Sequence, residues 1–125
     1  MENEFVMDER IQTIVELLES KKYSRARDEI LKNNTVDIAE ILEEVIEDLG
    51  MEKTIILFRT LPKDVSAEVF AYLPIDDQID IISGITDREI QHIIDELSIF
   101  GITQFTLSII HCRYRIYWKL FNENN

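Results

Sequence analysis

From Leu49 onward the chain restarts itself every twelve residues. Cut at that interval it reads LGMEKTIILFRT, LPKDVSAEVFAY, LPIDDQIDIISG, ITDREIQHIIDE and LSIFGITQFTLS. The first column holds Leu49, Leu61, Leu73, Ile85 and Leu97. The ninth and tenth hold Leu57-Phe58, Val69-Phe70, Ile81-Ile82, Ile93-Ile94 and Phe105-Thr106. The second holds Pro62, Pro74, Thr86 and Ser98, residue types that open helices. Proline is tolerated in a first helical turn, where its missing N–H would find no partner anyway. Thr86 with Glu89 is a capping box, and Asp64, Asp76, Asp77 and Asp87 stand in first turns, where carboxylates suit the helix dipole. Twelve residues make one short helix and a corner. A helix of about nine residues spans only ~14 Å and is not stable alone, so each must stack on its neighbours. Two units are expected to form a helical hairpin, burying stripes such as Val65, Val69, Phe70 and Leu73. The apolar positions do not alternate, and strands are not expected.

Upstream the same periodicity predicts longer helices. One covers roughly 8–20, with Ile11, Ile14, Val15 and Leu18 on one face. Another covers 23–32, with Ala26, Ile30 and Leu31 apolar. A third, over about 36–48, starts at Asn34 and Asp37 and turns Val36, Ile38, Ile41, Leu42, Val45 and Leu49 inward. Its opposite face carries Glu40, Glu43, Glu44, Glu47 and Asp48. The predicted fold class is all-α: a right- or left-turning superhelical stack of seven or eight short helices, an α-solenoid-like architecture.

Composition limits what such a stack can bind. Residues 1–97 hold 10 Lys and Arg against 24 Asp and Glu, a balance of −14. That field repels nucleic-acid phosphates and anionic membrane surfaces, and favours cations and basic protein faces. The single cysteine, Cys112, gives no internal disulfide and suits a reducing compartment. The start, MENEFVMDERIQ, is acidic where a signal peptide needs basic residues and an apolar run. The longest uncharged run, Leu97 to Cys112, includes Ser98, Thr103, Gln104, Thr106 and Ser108 and is too short and polar to span a bilayer. These features predict a cytoplasmic protein without a membrane span.

The run DIAEILEEVIEDLGMEKTIILFRTLPKDVSAEVFAYLPIDDQIDIISGITDREIQHIIDEL resembles the N-terminal cytosolic domain of MgtE-type magnesium transporters. The matching stretches are Asp-Ile-Ala-Glu at 37–40, LFRTLPKDVSAEVFAYL at 57–73 and the helix from Asp87 to Leu97; the likeness covers about 8–97. It implies a compact superhelix that precedes paired CBS domains and a membrane channel, where magnesium ions between acidic faces hold the cytosolic parts together. Flagellar-motor FliG proteins use a similar helical fold for protein docking alone. The resemblance makes this chain a magnesium-sensing regulatory domain rather than an enzyme. The alternative is a FliG-like interaction module with no metal role. The implied partner is a CBS domain or the cytosolic face of an MgtE-like transporter, which would place the chain at the inner face of the membrane.

Residue by residue, Glu68 of VSAEVF matches the family's acidic residue across a magnesium site. The next family acid, in a Leu-x-Asp-Asp pattern, falls on Phe100. Magnesium, the implied ion, is therefore expected to bind weakly or only with a partner. The CBS and membrane parts have no counterpart in these residues, so this chain alone is not expected to carry an ion across a membrane. The first domain is read as 1–97. Residues 98–125 form a divergent tail, read as helical, with 3 basic and 1 acidic residue and six of the eleven aromatics: Phe100, Phe105, Tyr114, Tyr117, Trp118 and Phe121. Two origins fit it: a truncated gene read in an altered frame, or a replacement helix that covers the open end of the stack. A homodimer contact through its aromatics is a further use.

Other motifs have simpler readings. Asp76, Asp77 and Asp80 superficially resemble the Asp-rich magnesium-diphosphate motif of prenyl synthases, which needs a second acidic helix and a deep cavity. Here they are expected to be a dipole-suited helix start with a solvated face. The Glu40–Glu47 face is read as solvated too. His111-Cys112 lacks the further ligands of a zinc site, and no nucleophile, base and orienting group stand together for catalysis. His92 is read as a surface or boundary residue.

Overall fold

Four helix starts fall twelve residues apart, at Met51, Lys63, Ile75 and Asp87. The computed structural model describes residues 2–99, with side chains from Met7 to Leu97. Seven helices and no strand occur among them: α1 (Glu2–Glu19), α2 (Tyr23–Ile30), α3 (Thr35–Leu49), α4 (Met51–Thr60), α5 (Lys63–Tyr72), α6 (Ile75–Gly84) and α7 (Asp87–Ile99). Helix α1 begins six residues before the expected start at 8, and Met7 carries its apolar stripe one turn upstream of Ile11 against the core. The tail from residue 100 onward lies outside the described residues, and with it the expectations of a helical tail and a dimer contact.

The Leu-Pro pairs both end one helix and begin the next. Proline excludes the residue before it from the α region, and Leu61 and Leu73 are extended, with ψ of 147° and 150°. The prolines stand one step earlier than expected, at the caps rather than inside the first turn, with ψ of 147° and 151°. Their carbonyls already accept the first helical bonds, from the N–H of Ser66 at 2.8 Å and of Gln78 at 3.0 Å. The third corner has no proline. There Thr86 Oγ1 accepts from the Glu89 N–H at 3.2 Å while Glu89 Oε1 accepts from the Thr86 N–H at 3.5 Å, the expected capping box. Asn34 caps α3 by accepting from the Asp37 N–H at 2.9 Å.

The helices form two layers. The chief packing partners run α1 on α3, α3 on α5 and α5 on α7 in one layer, and α2 on α4 and α4 on α6 in the other. Helices α1 and α2, and α3 and α4, also pack as consecutive pairs. Beyond α4 the expected hairpin of consecutive units gives way to packing on the next helix but one. The two extended residues of each Leu-Pro corner turn the chain out of the finished helix, so the following helix enters the other layer.

The core lies between the layers and follows the repeat. Leu57, Phe58, Val69, Phe70, Ile81, Ile82 and Ile93 are buried, with Ile94 packed at the margin. Val36 departs from expectation, at 45% exposed. It precedes Val45 by nine residues, which at 100° per residue is the opposite side of α3. The two buried polar side chains among the described residues are satisfied: Thr54 donates to the Gly50 carbonyl at 2.9 Å and Gln78 to the Phe70 carbonyl at 2.8 Å. Gly84 lets α6 approach α4 closely, since a Cβ there would stand 2.5 Å from Ile55 Cδ1. Arg27 Nε donates to the Thr60 carbonyl at 2.8 Å, tying α2 to the end of α4.

Candidate metal site

Glu68 lies in the middle of α5, the helix that packs on both α3 and α7. Its neighbours Ala67, Val69 and Phe70 are buried, which fixes the rotation of the helix and leaves Glu68 half-buried at the margin. Asp64 and Tyr72, one turn before and after it, are exposed. The three form an outward stripe at i, i+4 and i+8. Among the described residues the Glu68 carboxylate has no hydrogen-bond or ion-pair partner. Asp64 is a second oxygen donor that the sequence reading credited only with a dipole role. Phe100 lies outside the described residues.

A second acidic region forms where the sequence suggested two separate ones. Burial raises the pKa of Glu43 on α3, and Asp77 on α6, Glu40, Glu44 and Glu47 raise it further. Burial likewise raises Asp77, with contributions from Asp80, Asp76 and Glu47. The acidic face of α3 and the acidic start of α6 therefore share one electrostatic neighbourhood. Each neighbouring charge that shifts Glu43 or Asp77 is another carboxylate. No local signal could have joined them, because α3 and α6 belong to different layers.

The fit to magnesium is partial. Magnesium asks for octahedral oxygen coordination and commonly takes one or two carboxylates while keeping several waters. Glu68 has a carboxylate free to serve as one such donor. Yet no group of three or more His, Cys, Asp or Glu among the described residues is placed to hold a metal ion. The acids of α3 and α6 influence one another through their field without forming a chelating set. A cavity of about 290 Å³ lies instead between α1 and α2, lined by Glu9, Arg10, Thr13, Ile14 and Glu29. It holds neither Glu68 nor the α3 and α6 acids. His92 is half-buried on α7, a boundary position.

Against known families, the model of the MgtE intracellular N domain matches residues 33–105. The chain belongs to the MgtE intracellular N domain family. The match covers α3 to α7 whole and includes both Glu68 and Phe100; α1 and α2 lie upstream of it. No curated protein and no solved structure matches. No helix among the described residues is long and apolar enough to cross a membrane.

Proposed function

We propose that this MgtE N domain is a magnesium-responsive regulatory module that docks on the cytosolic face of an MgtE-like transporter. Glu68, with Asp64 one turn away, presents oxygen to a hydrated magnesium ion, and a CBS domain supplies the facing donors. The observation that carries this reading is Glu68 itself. It is half-buried on the outward stripe of α5, inside the matched region, and its carboxylate is engaged by no described residue. The absence of a three-ligand group among the described residues fits a site that a partner completes.

Calorimetry tests this with the full chain and a CBS domain from an MgtE-type transporter. The chain alone should show only the weak magnesium response that sodium chloride at equal ionic strength reproduces. With the CBS domain present, magnesium should promote association beyond that salt effect, Glu68→Ala should abolish the excess, and Phe100→Asp should strengthen it. Tight, saturable magnesium binding by the chain alone would contradict this reading and direct attention to Asp76 and Asp80. Association indifferent to magnesium would support the interaction module without a metal.

A further inference from the structure

We propose that the exposed corner between α5 and α6 is a docking surface for this chain's own basic, aromatic segment, residues 113–121. Tyr72 and Ile75 flank the corner, at 53% and 54% exposure the most open of the large apolar side chains among the described residues. Leu73 between them is buried at 4%, and both corner residues have extended backbone set by proline, so the corner is held firmly. Asp76 and Asp77 follow at once, with Asp80 one turn on. Asp77 in turn lies within the field of the α3 acids, raising the pKa of Glu43 and having its own raised by Glu47. The result is an exposed aromatic and an exposed aliphatic side chain next to the three carboxylates that open α6.

The segment RYRIYWKLF matches that surface in both respects. It carries Arg113, Arg115 and Lys119 with no acid, interleaved with Tyr114, Ile116, Tyr117, Trp118, Leu120 and Phe121. Arginine over a tyrosine ring such as Tyr72 adds cation–π attraction, while the other cations meet the carboxylates. Reach is no obstacle. The fourteen residues from Ile99 to Arg113 can extend to at most about 45–50 Å, whereas a domain of about 100 residues has a radius of gyration near ~13 Å. Being part of the same chain raises the segment's effective concentration at this surface to the order of millimolar, which favours the chain's own surface over that of a second copy.

Trp118 is the chain's single tryptophan and reports on the segment directly. Zero-length carbodiimide cross-linking of the full chain, followed by peptide mapping, should join Lys119 to Asp76, Asp77, Asp80, Glu43 or Glu47 within the monomer band. Tyr72→Ser with Ile75→Ser should move Trp118 emission to longer wavelength with the helical circular dichroism unchanged. Arg113→Glu with Arg115→Glu leaves the described helices untouched, and should lower the cross-link yield severalfold and produce the same red shift. Cross-links from Lys119 confined to other carboxylates, or Trp118 emission unmoved by the arginine variant, would overturn the proposal. Cross-links found only in a dimer band would overturn it in favour of a second copy as occupant.

Discussion

Lys21 and Gly50 both hold backbone with positive φ, and their side chains make the outcome opposite. Lys21, at φ 60°, ends α1: its own N–H bonds to the Leu18 carbonyl and that of Lys22 to the Leu17 carbonyl, at 3.0 and 2.8 Å. This is a Schellman end, in which glycine is the usual occupant. Lys21→Gly should therefore raise stability, by up to about 1 kcal/mol. Gly50, at φ 93° and ψ 168°, joins α3 to α4 with no intervening turn. That region is essentially closed to residues with a Cβ, although nothing stands within 4 Å of where one would be. Gly50→Ala should cost about 1–3 kcal/mol from backbone strain alone. Paired urea melts of the two variants check both signs, and equal effects would mean that side-chain contacts decide instead.

At the level of the element, α7 depends on a residue that serves two helices. Glu89 closes the capping box with Thr86 and also receives Arg59 of α4 through two bonds, Nε to Oε2 at 3.0 Å and Nη2 to Oε1 at 2.8 Å. Thr86→Ala should cost about 1 kcal/mol. Glu89→Ala should cost more than that, because it loses both roles. A double-mutant cycle of Arg59→Ala with Glu89→Ala should give a coupling no larger than about 1 kcal/mol, since the two side chains are 48% and 31% exposed. These start signals were legible in sequence because capping is local: donor and acceptor lie three residues apart. The buried pairs at 57–58, 69–70 and 81–82 were legible for the same reason, each being fixed by its own helix. Val36 was misplaced because an apolar residue at a helix start was counted inward without following its angle round the axis. The meeting of the α3 and α6 acids was illegible, since it depends on which layer each helix enters. Glu68 could be picked out only through resemblance; its half-burial and its lack of a described partner are tertiary facts.

Over the whole molecule, the clustered acids should make the fold more stable in mild acid than at neutral pH, within a limited window. Glu43 and Asp77 have pKa values raised by folding, so the folded chain takes up these protons more readily than the unfolded chain does. Their ionised forms oppose folding at pH 7. That opposition is lifted as pH falls through the raised values toward the ordinary carboxylate range of about 4. Glu43→Gln should raise the melting temperature at pH 7, by an amount worth at most about 1 kcal/mol for so solvated a site. The advantage should shrink as pH approaches 4, and a constant difference across that range would show that charge is not the cause. The two-layer stacking of α1 to α7 has a consequence of another kind, for how such a chain can change its length. Each helix rests on the next but one, so removing one twelve-residue unit would shift every later helix into the opposite layer and turn its apolar side the wrong way. Removing or adding two units, twenty-four residues, restores parity and returns the following helix to the same layer as before. Related chains should therefore differ by even numbers of units.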